Sequence, residues 1–187
     1  MGIKLNIACG QRLQPGWTGL DIAEKEKVVV PEGAAYVECN VLSFPWPIAS
    51  NSVSEAFSSH FVEHIPHQLI DSGSYKNGLI QFMEEVYRVL ESNGTIRIEC
   101  PYYSSQRAHQ DPTHCRSITE NTFRYFDREW LAANGMSHYD IKTDFEVVST
   151  TLLLDEQYES YSEVEKQHLI KHTINSVLDI YVVLRKK

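Results

Sequence analysis

Strand-like and helical segments alternate through the first hundred residues, and that order constrains the fold more than any other feature. Residues 3–8 alternate apolar and polar positions and end at Cys9-Gly10, with Pro15-Gly16 marking a turn soon after. Residues 18–22 read as a second short strand. Val28-Val29-Val30 is a β-branched run stopped by Pro31, and residues 36–41 and 53–59 read as further strands. Over residues 79–90 the apolar positions Leu79, Phe82, Met83, Val86, Val89 and Leu90 fall at helical spacing, and Asn93-Gly94 ends the run. A strand over 95–100 closes at Pro101. The pattern predicts an open α/β sheet, mostly parallel. Residues 102–127 are polar and aromatic without a period. Residues 145–154 read as a long strand, 162–172 as a short polar helix and 176–184 as a last strand, so the chain's end is expected to add an antiparallel edge.

Composition narrows the class. The 187 residues suit one domain, here taken as 1–187, with enough chain to bury a sizeable core. Hydrophobic residues make up 42% and charged residues 22%, ordinary for a globular protein. No apolar run approaches the roughly 20 residues that span a bilayer. The start, Met1-Gly2-Ile3-Lys4, lacks the apolar core of a secretory signal and leaves no room for a transit peptide. Met1-Gly2 would permit myristoylation, but position 6 is Asn6 rather than Ser or Thr. The four cysteines form no CxxC pair, and a reduced cytoplasmic protein is the expectation. A net charge of −8 argues against non-specific nucleic-acid binding. Oligomeric state is not legible.

In open α/β sheets, ligands lie outside the carboxyl ends of the strands, where strand order reverses. The exit of the first strand is therefore the place to look. Gly10 would let a ligand approach the backbone closely. Asp21, at the end of the second strand, has the acceptors for a ribose diol. Asn40, after the next strand, either reads an adenine through its amide or holds a turn. A dinucleotide fingerprint does not fit. Its glycines would fall at Ala8, Gly10 and Leu13, only Gly10 complies, and the acidic residue follows too soon. The stretch between the first two strands is too short for a full helix, and no P-loop is present.

Taken together these residues resemble a known family. Asn6, Ala8, Cys9 and Gly10, then Pro15-Gly16-Trp17 and Asp21, are similar to the "LNxGCG…PGWxxxD" pattern of class I S-adenosylmethionine-dependent methyltransferases. The likeness is to the compact, type 11-like branch in which a loop largely replaces the first helix. Residues 52–65, Ser-Val-Ser-Glu-Ala-Phe-Ser-Ser-His-Phe-Val-Glu-His-Ile, resemble that family's "SVDxVxSSHxLEHI" segment, and residues 82–94 its "xExxRVLKPGG" helix and turn. The match spans residues 3–101, with a weaker echo in the last two strands. The resemblance implies a Rossmann-like sheet with a shortened first helix and S-adenosylmethionine as cofactor. It places that cofactor against Asn6, Ala8, Cys9, Gly10, Asp21, Asn40, Val41, Ser58, Ser59 and His60. Three positions depart from the pattern: Ala8 stands for a glycine, and Asn40 and Ser54 each stand for an aspartate.

The eight histidines cluster. His60, His64 and His67 follow the fourth strand, while His109, Asp111 and His114 lie in Ala-His-Gln-Asp-Pro-Thr-His-Cys-Arg, residues 108–116. Neither cluster has a distinctive metal-ligand spacing, HExxH is absent because residue 61 is Phe, and no metal is expected. Asp111-Pro112-Thr113-His114 resembles a "DPxH" element that some of these methyltransferases carry after the fifth strand. That puts His114 or His109, with Asp111, near the transferable methyl as a base. The plainer alternative is a turn at Asp111-Pro112 that His114 caps. Cys100-Pro101-Tyr102-Tyr103 departs from the "PPY" motif of amino-methylating DNA enzymes and reads as a strand stop. Tyr102 and Tyr103, just past it, are the candidate acceptor contacts. Because the chain starts at its first strand, residues 102–127, with the 68–78 insertion, are expected to form the acceptor lid. The expected activity is methyl transfer to oxygen or nitrogen of a small molecule or glycan. A non-catalytic S-adenosylmethionine-binding protein and a nucleic-acid methyltransferase are the alternatives.

Overall fold

A computed structural model describes residues 2–71 and 73–187. Met1, of the Met1-Gly2 pair weighed for myristoylation, and Ser72, inside the 68–78 insertion, lie outside the described residues. Five parallel strands form the body of the sheet. They are β1 (Ile3–Ile7), β2 (Thr18–Asp21), β3 (Ala35–Glu38), β4 (Val53–Ser59) and β7 (Leu90–Pro101). A hairpin, β5 (Gln68–Asp71) and β6 (Ser74–Asn77), and helix α1 (Gly78–Val89) connect β4 to β7. Short helices α2 (Arg107–Gln110) and α3 (Arg128–Ala133) precede β8 (Phe145–Leu154). Helix α4 (Glu163–His172) joins β8 to β9 (Val177–Lys186). The sheet order is β3-β2-β1-β4-β7-β9-β8, so strand order reverses between β1 and β4.

The expected antiparallel C-terminal strand is present, but it lies one place in from the edge. β9 runs antiparallel to both β7 and β8, and β8 is the edge strand. Burial explains the order. Val177, Ile180, Val182 and Leu184 are fully buried, whereas the middle of β8 is exposed. Other differences are local. Val28–Val30 is not a strand, with Val28 buried and Val29 in solvent. The β5–β6 hairpin was not legible from periodicity.

One face of the sheet carries the core. In register across it lie Leu5, Ala56, Ile96 and Leu184, and beside them Ile7, Ser58, Ile98 and Val182. Against this face sit the apolar positions of α1, namely Phe82, Met83, Val86 and Val89, all fully buried. The helix starts at Asn77, whose side chain accepts from the Leu79 and Ile80 amides at 3.0 and 3.3 Å. Gly78 follows because a Cβ there would overlap the Pro66 carbonyl oxygen. Residues 102–127 are less a loose loop than core, since Tyr102, Ile118, Phe123 and Phe126 are buried.

The opposite face is different. No helix stands between β1 and β2, where residues 8–17 form turns, and a single 3-10 turn, Lys25–Lys27, stands between β2 and β3. A parallel sheet is normally covered on both faces. Here the second face presents a row in register, Lys4, Glu55, Thr95, Arg185 and Glu146, tied by ion pairs from Lys4 to Glu55 (2.8 Å) and from Arg185 to Glu146 (2.5 Å). Arg97 lies over the Phe57 ring at 4.4 Å and Lys4 over Trp17 at 5.5 Å. Charge and cation–π contacts thus make that face compatible with water. All four cysteines are free. No helix among the described residues is long and apolar enough to cross a membrane.

Candidate functional site

The chain leaves β1 through a tight turn. Ala8 and Gly10 both have positive φ, 54° and 50°. The Cβ direction of Gly10 opens onto empty space. The Gly10 amide donates to Asp21 Oδ2 at 2.8 Å, and the Ala23 amide donates to Oδ1 at 3.1 Å. The Asp21 carboxylate is thereby fixed at the end of β2, and each oxygen keeps lone-pair capacity for a second donor. Asn6 is buried, and its Nδ2 donates to the Arg12 carbonyl at 3.1 Å, which ties the loop to β1. Cys9 is buried beside Gly19, where a Cβ would come within 2.8 Å of Cys9 Sγ, so glycine at 19 lets the loop lie on β2. Burial, with the Asp21 charge adding, pushes the Cys9 thiol up to about 11, and it stays neutral.

The remaining predicted contacts sit at the ends of β3 and β4. Asn40 Oδ1 accepts from the Leu42 amide at 3.0 Å, so the side chain, which is exposed, does hold a turn. Val41 is buried, and its carbonyl accepts from Trp46 Nε1 at 3.0 Å. Ser58 points into the core face, and its hydroxyl has no hydrogen-bond partner. The Ser59 hydroxyl donates to Glu99 at 3.2 Å. His60 ends β4 with φ 51°, unusual for a side chain with a Cβ, and its amide donates to the Glu99 carbonyl at 2.8 Å. The Glu63 carboxylate, with Oε1 3.5 Å from His60 Nδ1, raises the imidazole above its ordinary value.

Beside His60, at the ends of β4 and β7, lies a cleft of about 370 Å³. Its lining is Arg12, His60, Glu63, His64, Pro101, Arg107, Gln110, Asp111 and His114. The 113–116 stretch is clamped onto the exit of β4. The Cys115 and Arg116 amides donate to the Glu63 carbonyl at 2.7 and 3.2 Å. Arg116 Nε and Nη2 donate to the Ile65 and Pro66 carbonyls at 2.7 and 2.6 Å. Arg107 reaches the buried Asp179 at 2.7 Å.

The two candidate bases part company here. His114 lines the cleft, with Nδ1 3.2 Å from the Ala108 carbonyl. A carbonyl only accepts, so that nitrogen carries the proton and Nε2 has the free lone pair. His109 is outside the lining and spends Nε2 on the Tyr103 carbonyl at 2.9 Å. Asp111 caps its own turn, accepting from the Thr113 amide and hydroxyl at 2.8 and 2.7 Å, and also lines the cleft. Neither Tyr102 nor Tyr103 lines it. Tyr102 is a core residue whose hydroxyl donates to Glu120 at 2.9 Å, and burial raises that phenol well above its usual range. Tyr103 is about half exposed and packs edge-on against Tyr102.

The fold recurs in solved structures. A S-adenosylmethionine-dependent methyltransferase from Archaeoglobus fulgidus superposes with a TM-score of 0.63 at 18% identity, over 99% of this chain and 86% of that one. The fold is that of the S-adenosylmethionine-dependent methyltransferases. A methyltransferase of this kind from Mesorhizobium loti gives 0.56 at 13% identity, over 99% and 91% of the two chains. Geranyl diphosphate C-methyltransferase from Streptomyces coelicolor A3(2), solved with Mg2+, geranyl diphosphate and S-adenosyl-L-homocysteine, gives 0.55 at 11%, over 100% and 73%. No protein-family model matches the chain, and no curated protein does either.

On this methyltransferase fold, the cofactor contacts expected from the sequence sit at or near the ends of β1 to β4, and His60 among them lines the cleft. Arg12, Glu63, His64, Arg107 and Gln110 line it and were not among the predicted contacts. Arg12 was within reach, since it sits two residues past Gly10 in a loop already known to face the strand ends.

Proposed function

We propose that this chain is a S-adenosylmethionine-dependent methyltransferase acting on an oxygen or nitrogen of a small molecule or glycan. The observation that carries the reading is a juxtaposition at the reversal of strand order. The Gly10–Asp21 pair stands at the ends of β1 and β2, the histidine-lined cleft lies at the ends of β4 and β7, and Arg12, from the loop that carries Gly10, lines that cleft. The residues present suit the cofactor. Gly10 leaves open space where a side chain would stand, and Asp21 has acceptors for a ribose diol. Arg12, exposed at the cleft's rim, is a cation suited to the cofactor's carboxylate. When bound, S-adenosylmethionine supplies an electrophilic methyl on a sulfonium. The chain's own part is to align the acceptor in the neighbouring cleft, and alignment of this kind accounts for ~7–11 kcal/mol of barrier lowering.

The cleft volume suits a small molecule or a terminal sugar, since such sites span roughly 300–1,000 Å³. Residues 107–114, which carry four of the lining residues, are the part of the 102–127 segment that we assign to the acceptor. His114 Nε2 faces the cleft and takes the acceptor's proton, with Asp111 beside it. The test is transfer of a tritiated methyl from S-adenosylmethionine into a fractionated cell extract. Label in small metabolites or glycans is expected. Label in nucleic acid would overturn the substrate class, and tight cofactor binding with no label anywhere would overturn the enzyme reading in favour of a binding protein.

A further inference from the structure

Glu63 is the least explained residue of the cleft. It is 1% exposed, and neither carboxylate oxygen has a hydrogen-bond partner. It faces His60 Nδ1, 3.5 Å from Oε1, too long for a good hydrogen bond. A buried carboxylate without donors is expensive, and proteins that keep one pair it or give it to a metal.

Two imidazoles stand beside it, and the surrounding hydrogen bonds fix the tautomer of each. His64 Nδ1 is 2.9 Å from Thr113 Oγ1, and that hydroxyl donates its own hydrogen to Asp111 Oδ1 at 2.7 Å. The hydroxyl can therefore only accept from His64, whose Nδ1 carries the proton and whose Nε2 carries the lone pair. His114 is fixed in the same way by the Ala108 carbonyl. The rings meet edge-on with centroids 4.6 Å apart. One ligand atom each from Glu63, His64 and His114 lies within 4.8 Å of the others.

We propose that Glu63, His64 and His114 bind one divalent transition-metal ion of the zinc class at the floor of the acceptor cleft. Two imidazoles and one carboxylate are a nitrogen-rich set that suits zinc and its neighbours rather than magnesium or calcium. Tetrahedral bonds of about 2.1 Å set ligand atoms about 3.4 Å apart, so side-chain adjustments totalling about 1–1.5 Å close the set around an ion. Each imidazole already donates its far N–H to an oxygen, the arrangement that orients metal-binding histidines. The backbone bonds from Cys115 and Arg116 to Glu63 hold the two contributing segments together. Neither histidine cluster supplies this set alone. The fold joins His64 from one and His114 from the other, 50 residues apart.

Three protein ligands leave a coordination position open toward the cleft. The site's role, though not its ligand set, rests on the methyl-transfer reading. An acceptor hydroxyl held at the open position is acidified and loses its proton to solvent. Its oxygen then forms the bond to the methyl carbon, and the carbon–sulfur electron pair returns to sulfur. Ligation occupies His114 Nε2, so the metal replaces that residue as the means of removing the proton.

The test is a titration of the chelator-treated full chain with Co2+, read as visible d–d absorption, in parallel with calorimetric titration by S-adenosylmethionine. One equivalent of Co2+ should bind, Zn2+ should displace it, and the spectrum should vanish in Glu63→Gln and in His114→Ala. Thr113→Val, which removes only the hydroxyl behind His64, should weaken Co2+ binding by ~10–100-fold. Asp21→Ala should keep the spectrum. No stoichiometric spectrum in the unaltered chain, or the same spectrum after both Glu63 and His114 are replaced, overturns the metal site. In either case S-adenosylmethionine binding would leave the methyl-transfer reading standing with His114 as base. A cobalt spectrum without S-adenosylmethionine binding supports the metal site and overturns the methyl-transfer reading instead.

Discussion

Replacing Arg116 by alanine should loosen the clamp between the 113–116 stretch and the exit of β4 while leaving the cofactor end of the sheet intact. The guanidinium donates to the Ile65 and Pro66 carbonyls at 2.7 and 2.6 Å. It is half-buried, and burial lowers it from its ordinary value without discharging it. Hydrogen bonds to charged groups contribute ~1.5–3 kcal/mol each, but water can reach part of this side chain and replace some of what is lost. A total of ~2–3 kcal/mol is therefore the expected loss. For a domain of this size each kcal/mol shifts Tm by ~2–4 °C, so thermal unfolding should move down by roughly 4–12 °C. Arg116→Lys keeps the charge but offers a point donor in place of a fork, and should recover only part of the loss. Affinity for S-adenosylmethionine should stay within about twofold, because Gly10 and Asp21 share no partner with Arg116. Calorimetry of unfolding and of cofactor binding on the same samples decides it. A Tm change below about 2 °C, or a large fall in cofactor affinity, would refute the clamp as drawn.

Other expectations follow from the same geometry. Asp21→Ala should weaken S-adenosylmethionine binding by ~1.5–3 kcal/mol, and an unchanged affinity in titration calorimetry would remove Asp21 from the site. Gly78→Ala should cost ~1–3 kcal/mol in urea unfolding, because the new methyl meets the Pro66 carbonyl, a backbone atom that cannot rotate away. A loss under ~0.5 kcal/mol would mean that the start of α1 is less constrained than drawn. His114→Ala should cut methyl transfer by ~10²–10⁴-fold with cofactor affinity retained, and full turnover would leave this side chain only a structural part.

How much was legible depends on whether a feature is local. β4 and β8 have the bounds that their alternation and β-branched content predict, and α1 its apolar stripe. The place of β9 was not local information. Its run Val-Leu-Asp-Ile-Tyr-Val-Val-Leu is nearly continuous, as suits a strand flanked on both sides, but which neighbours it pairs with depends on the whole sheet. Residues 102–127 showed no period because short 3-10 and α turns carry their core residues, so Phe123 and Phe126 are buried without a repeating stripe. Gly10 and Asp21 stand out in the sequence because ligands lie at strand ends in such sheets, and the fold joins the two through the Gly10 amide. Tyr102 was misjudged on the same rule. It follows a strand end, but its ring turns into the core and its hydroxyl finds Glu120. Glu63 with His64 and His114 was not readable, because the pairing depends on Arg116 folding one loop onto another.

The proposed methyl transfer depends on the Gly10–Asp21 strand ends holding S-adenosylmethionine. Isothermal titration of the unaltered chain tests it most directly. One site per chain is expected for S-adenosylmethionine and for S-adenosylhomocysteine, with no competing affinity for NAD. Tight or exclusive binding of NAD, or no binding of S-adenosylmethionine at all, would contradict it.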